Sequence, residues 1–318
     1  MATNNYASVA HHFLKVAILL GFAGYLIYLV FTGEILLFIA PHLLKYVKTA
    51  AAGLFIFAVF QLYISIRSFK QPVAGCACAH HHDHSQGGHP DHTHMHDHGQ
   101  SDSGPVLKHV LGYSLFILPL LLAVLLPNQV VAGSLAKNSG IQLGEEAVDS
   151  NGVPMDLALL KGSIDPEARA LFTTDKYNRD YAKLGMLLYK QDMVEMKDQW
   201  FIEKLQALNL FADHFSGKPI QMKGFIYREN GLPENQFLIE RMAMTHCIAD
   251  ISPYGMIAEL PDASRYANDT WVTLTGTIDK TTYHDQTVIK IIVQHIEPAT
   301  APVIPYVYPD WDFAKKLN

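Results

Sequence analysis

Cysteine is scarce in this chain. Cys76, Cys78 and Cys247 are the only three in 318 residues, too few and too scattered for a disulfide framework. A Cys76–Cys78 pair would close a tight, strained ring. Basic charge is also short: 24 lysines and arginines face 30 aspartates and glutamates, a net charge of −6 with histidine neutral. The basic footprint of a general nucleic-acid binder is therefore missing, and no nucleic-acid partner is expected. Charge of either sign is almost absent from three stretches before residue 131, which excludes an ordinary soluble N-terminal third. Mean hydropathy is +0.10. The apolar excess sits before residue 131, and the remainder has soluble composition.

A lipid core of about 30 Å needs roughly 20 apolar residues in a helix. Phe13–Phe31, Thr49–Ile66 and Val110–Leu126 each approach that length, so the sequence predicts three transmembrane helices. Lys15 lies close enough to an end to snorkel, and Pro119 is tolerated inside a membrane helix. No A-x-A-like cleavage site follows the first stretch, which argues for a span and against a removed leader. Ile35–Ala40 is too short to cross and reads as an interfacial or re-entrant turn. Three crossings place the termini on opposite sides of a cell membrane. Lys15, Arg67, Lys70 and Lys108 against Lys45, Lys48 and Lys137 favour a cytoplasmic N-terminus with an extracytoplasmic C-terminal domain.

Histidine is the abundant residue. Nine of the 17 lie between His80 and His98, in the tract CACAHHHDHSQGGHPDHTHMHDHG. Cys76, Cys78, His80, His81, His82, His84, His89, His92, His94, His96 and His98 are candidate metal ligands. Imidazole and thiolate suit zinc, copper and nickel, and the H-x-H pairs chelate without a scaffold. The thiolates favour Zn(II) or Cu(I). A tract with almost no apolar residues cannot fold alone, which describes a buffer, sensor or delivery arm. A drifted polar linker and a pH-responsive loop are the alternatives. The spans carry no central carboxylate or histidine of the kind that marks a transport path. The chain is thus expected to work beside a partner that does the moving.

The division expected is a membrane region over 1–130 with the histidine loop at 76–99, a connector over 131–175, and a soluble α+β domain over 176–318. Tyr181, Leu184, Leu187 and Leu188 suggest a helix, and Asp192–Ile202 could begin a strand. Five runs then read as strands between turn signals: Pro219–Arg228, Gln236–Cys247, Tyr254–Leu260, Thr270–Asp279 and Thr287–Glu297. Gly224 and Gly276 fall mid-strand, as the bends of a closed barrel require. The fold expected is an OB-like five-stranded barrel over 218–298 with a preceding helix; an open sandwich is the alternative. Phe225, Tyr227, Trp271 and Tyr283 could form a stacking face, although core packing is the commoner use of such residues. PYVYP with Asp310, Trp311 and Phe313 reads as a surface wrap or a docking strip.

KGFIYREN (Lys223–Asn230), THCIADISPYG (Thr245–Gly255), NDTWVTLTGTIDKTTY (Asn268–Tyr283) and PYVYP (Pro305–Pro309) together resemble the bacterial YcgQ-like family. So does LPLLLAVLLPNQVVAGSLAKNSGI (Leu118–Ile141). The resemblance implies a permease subunit with a hydrophobic N-terminal half, a neighbouring polytopic permease, and a link to metal homeostasis with zinc as the ion. It does not imply an enzyme. The family pattern has two adjacent cysteines a short step before an aspartate; here His246, Cys247 and Asp250 stand in those places. These three are further candidate metal ligands. In a strand His246 and Cys247 would face opposite ways. A buried apolar role for Cys247 with Asp250 capping a turn is the competing reading. A polymer- or protein-binding OB module and a Cys247-centred metal or thiol enzyme are the alternative functions.

Overall fold

The computed structural model describes residues 2–70, 106–125, 141–143 and 171–317. The histidine loop and most of the 131–175 connector lie outside the described residues. The chain divides into two units, one formed by 1–33 with 45–127 and the other by 34–44 with 128–318.

The first unit holds α1 (Ala2–Thr32), α2 (Leu44–Lys70) and α3 (Val106–Leu125). His11–Thr32 and Pro41–Arg67 are long and apolar enough to cross a membrane, and Gly112–Leu125 is a shorter apolar stretch. Phe57, Phe60, Leu115 and Leu125 stand exposed, an arrangement suited to a nonpolar surrounding. Helix contacts are specific. The Tyr25 hydroxyl donates to the Ala123 carbonyl at 3.0 Å. His11 Nδ1 lies 3.1 Å from the Tyr113 hydroxyl, and Gln61 Nε2 lies 3.0 Å from His12 Nδ1.

The second unit is built on a seven-stranded mixed sheet. Its strands are β1 (Val194–Met196), β2 (Pro219–Tyr227), β3 (Gln236–Ala243), β4 (Ser252–Glu259), β5 (Trp271–Tyr283), β6 (Gln286–Pro298) and β7 (Tyr306–Val307). The order is β1-β2-β5-β6-β4-β3-β7, and β2 also pairs with β3. The five central strands therefore pair in a ring. All contacts in it are antiparallel except β4 with β6. The five strand runs expected from alternation match β2 to β6 within a few residues. Asp192–Ile202 resolves into the short parallel strand β1 followed by α5 (Phe201–Leu210).

One end of the core is closed by α4 (Arg179–Lys190), α5 and α6 (Ala212–Phe215). Leu184 and Leu188 of α4 are buried as expected. Leu187 is exposed, and Ala182 and Met186 complete the inner stripe. Phe172, Phe201, Leu205 and Phe215 pack with Ile220, Ile239, Leu274 and Ile291, each large side chain contributing about 1.5–3 kcal/mol by burial. Asn209 ties this layer down: its amide donates to the carbonyls of Leu143 and Leu205, and its oxygen accepts the Ile289 N–H at 3.0 Å.

Two mid-strand glycines sit where backbones meet. A Cβ on Gly224 would lie 2.6 Å from the Glu240 carbonyl oxygen, at the β2–β3 closure, and one on Gly276 would lie 2.1 Å from that of Ile292. Gly276 also marks the register shift between β5 and β6. Among strands, β3 is covered on both faces, and its adjacent charges Glu240 and Arg241 are 0% and 1% exposed. Neither Glu240 oxygen has a hydrogen-bond partner among the described residues. Burial, with like charge from Glu229 and Asp269, pushes the Glu240 carboxyl up to about 8, which keeps it neutral at pH 7.

Two stability predictions follow from this packing. Gly276→Ala must displace backbone and should cost more than about 2 kcal/mol, read as a drop in the denaturation midpoint of the β unit. For Glu240 the folded value lies above the ordinary one, so its contribution is fully present below the unfolded carboxyl range and is lost as pH rises through about 8. Glu240→Gln should flatten the fall in melting temperature across that interval. An unchanged slope would place the pH dependence elsewhere.

Candidate functional site

Strand β3 ends at Ala243, and the chain then turns through Thr245, His246 and Cys247 into a short 3-10 helix, Ile248–Asp250. This turn is where the sequence put a metal or thiol centre. Asp250 organises it. One carboxylate oxygen accepts the Thr245 N–H at 2.9 Å, and the other accepts the N–H groups of His246 and Cys247 at 2.8 and 3.2 Å. The His246 imidazole lies 3.3 Å from the same carboxylate. Burial acts to raise the Asp250 carboxyl, but the three N–H donors and the ring outweigh it and hold it below the usual carboxylate range.

The partner of the turn is the apolar segment between α1 and α2. Sequence marks Ile35–Ala40 as an interfacial or re-entrant turn; the structure packs it within the β unit. Glu34–Leu37 and Pro41–Leu43 are single 3-10 turns, and Ile39 between them forms an antiparallel bridge with Cys247. The Ala40 N–H donates to the His246 carbonyl at 2.8 Å, and the Ile248 N–H donates to Phe38 at 2.9 Å. Leu37 is buried with Phe225, Met242, Met244, Ile251 and Tyr306, and Phe38, Tyr227 and Trp271 pack against that cluster. The Tyr308 hydroxyl donates to the Leu36 carbonyl at 2.7 Å. PYVYP is thus a wrap that adds β7 beside β3 and helps hold this segment.

The donor chemistry is limited by this arrangement. Cys247 is a half-buried free thiol. The imidazole of His246 turns to Asp250, with the His42 ring edge-on at 5.7 Å and the Trp311 ring at 6.4 Å. His42 is the neighbour that sequence reasoning missed, because the signal joining it to His246 is tertiary. No three His, Cys, Asp or Glu side chains converge at metal-binding spacing among the described residues. Both Asp250 oxygens accept backbone N–H groups, so Asp250 serves as a clamp of the turn. The loop candidates from Cys76 to His98 lie outside the described residues.

The aromatic face is likewise taken up by packing. Phe225 is 1% exposed, its ring lies 5.8 Å from that of Trp271, and both meet the cluster around Leu37. Tyr283 donates to a Glu229 carboxylate oxygen. These rings do not form an open stacking surface.

Comparison with known proteins covers both halves of the chain. The DUF1980 N-terminal domain matches residues 14–91 and 85–142, the two matches meeting inside the histidine tract, and the DUF1980 C-terminal domain matches 171–309. UPF0703 protein YcgQ of Bacillus subtilis (strain 168) is 26% identical over 206 residues, 64% of this chain and 70% of that protein. A Streptococcus mutans serotype c protein named "Putative two-component membrane permease complex subunit" is 29% identical over 148 residues, 46% of this chain and 54% of that protein. Among solved structures, a chain of a replication protein A heterotrimer bound to ssDNA is 14% identical and covers 32% of this chain and 65% of its own, with a TM-score of 0.16. A likeness of that size assigns neither fold nor ligand.

The clamp makes a testable distinction. Asp250→Ala leaves three N–H groups without their acceptor and should destabilise the β unit by on the order of 2 kcal/mol. His246→Ala should cost less than about 1 kcal/mol, because its ring is on the surface. Equal losses in a urea titration would contradict the clamp.

Proposed function

Because the chain belongs to the YcgQ-like DUF1980 family, we propose that it is the accessory, membrane-embedded subunit of a permease complex. Its β unit serves as an interaction module, and its histidine tract gathers transition metal, zinc first and copper or nickel as alternatives. The name of the Streptococcus mutans relative supports the permease assignment. The observation that carries the architectural part is the seating of 34–44 on the Cys247 turn. The connection between α1 and α2 belongs to the C-terminal unit.

Parity then gives the topology. If α1 and α2 both cross, their connection and the C-terminal unit share one side, so the chain crosses once more between residues 71 and 140. Among the described residues the apolar helix there is α3, 20 residues long, or about 30 Å at 1.5 Å per residue, enough for one crossing. The histidine tract lies on the opposite side, which the lysine distribution makes cytoplasmic. We read the ring of β2, β3, β4, β6 and β5, with its parallel β4–β6 contact, as an OB-like barrel used as an interaction module. The packing of Phe225 and Trp271 favours this protein-contact role over binding of a polymer along a stacking groove.

Two outcomes are expected. Reporter domains inserted at residue 90 and fused after Asn318 should report opposite sides of the membrane; reports from the same side would remove the third crossing. The full chain should bind several Zn(II) ions in a calorimetric titration and lose most of them when 76–98 is deleted. Undiminished binding by the deletion variant would end the assignment of metal capture to the tract.

A further inference from the structure

A cavity of about 400 Å³ opens beside β1 and β2 in the second unit, lined among others by Lys197, Asp198, Gln221, Lys223, Arg241 and Thr273. Its least ordinary component is Arg241. The side chain is 1% exposed while that of Asp198, its one carboxylate partner among the described residues, is 61% exposed. The remaining contacts of the guanidinium are weak. Nη2 reaches the Pro305 carbonyl only at 3.5 Å, the group lies 5.4 Å from the centre of the Trp271 ring, and Nε has no hydrogen-bond partner among the described residues. A fully buried cation is thus balanced by one carboxylate that water also reaches. Breaking a buried pair leaves an uncompensated charge, so Arg241 holds whichever anion is present.

The cavity walls extend the preference. Lys197 pairs with Glu195, and Asp198 neutralises Arg241, but Lys223 has no carboxylate partner among the described residues. One positive charge is therefore left over on the lining. Gln221 and Thr273 supply hydrogen-bonding groups on the same wall. A guanidinium, an ammonium and neutral polar groups around a space of this size suit a small molecule bearing a carboxylate or a phosphate group.

We propose that this cavity is a binding site for a small anionic ligand, whose carboxylate or phosphate group replaces Asp198 on Arg241 and is met by Lys223. Asp198, on the loop between β1 and α5, is the built-in competitor: its carboxylate occupies the site when the ligand does not. The assignment is independent of the permease and metal readings, because it uses none of their residues.

The test uses the full chain in non-ionic detergent, titrated by calorimetry with inorganic phosphate and, separately, with succinate. At least one probe should bind saturably at a stoichiometry of about one. Lys223→Gln should weaken that binding by about threefold or more, the scale of one screened charge contact. Asp198→Asn, which keeps the shape and removes the competing charge, should tighten it. The probe that responds identifies the ligand group as phosphate or carboxylate. Arg241 is left intact, since its burial would confound binding with folding. Absence of saturable binding by both probes overturns the proposal, and so does binding that Lys223→Gln leaves unchanged. Should Asp198→Asn lower the melting temperature too far to titrate, the Lys223→Gln comparison decides alone.

Discussion

Two backbone hydrogen bonds, which make up the Ile39–Cys247 bridge, and one buried leucine, Leu37 in the cluster under Trp271, join the helical connection to the β unit. Much of the local arrangement depends on them. The bridge needs an extended partner at Cys247, and the Asp250 clamp supplies it by gathering the N–H groups of residues 245–247. The cluster that receives Leu37 uses Phe225 and Trp271, which removes them from any open ligand face. One packing requirement thus accounts for the aromatic residues and for Asp250 together.

The covering of both faces of β3 has a second consequence. A strand with one wet face would leave one of the adjacent residues Glu240 and Arg241 at the surface. Here both are enclosed, and each solves the problem differently. Glu240 gives up its charge at neutral pH. Arg241 cannot, so it keeps an exposed carboxylate and the edge of a polar cavity. A buried neutral carboxyl and a buried cation thus stand side by side on one strand.

Much of this was legible in the sequence where the signal is local. Alternation and turn residues located β2 to β6, and Gly224 and Gly276 marked places where the backbone is crowded. The apolar helices were equally plain. What could not be read is tertiary. Ile35–Ala40 is apolar whether it meets lipid or a β unit, and nothing in six residues separates the two. Glu240 and Arg241 look like ordinary surface charges in the run FLIERMA until the second face of β3 is known to be covered. His246, Cys247 and Asp250 have ligand chemistry by residue type, yet hydrogen bonding decides that Asp250 acts on backbone. Leu187 and Met186 exchange places across the edge of an amphipathic helix, a distinction finer than spacing alone resolves.

The bridge can be tested at its centre. In the antiparallel geometry of Ile39 and Cys247, the hydrogen bonds fall on the flanking residues, which is the closely spaced, non-hydrogen-bonded type of pair with Cα atoms about 4.5 Å apart, within the reach of a disulfide. Ile39→Cys in the full chain should therefore oxidise readily to an intramolecular bond with Cys247. Mass spectrometry would find that cross-link, and Cys247 would lose its reactivity to maleimide in intact membranes. If Cys247 stays fully reactive in Ile39→Cys under oxidising conditions, or pairs instead with Cys76 or Cys78, the seating of the helical connection on the β unit is wrong.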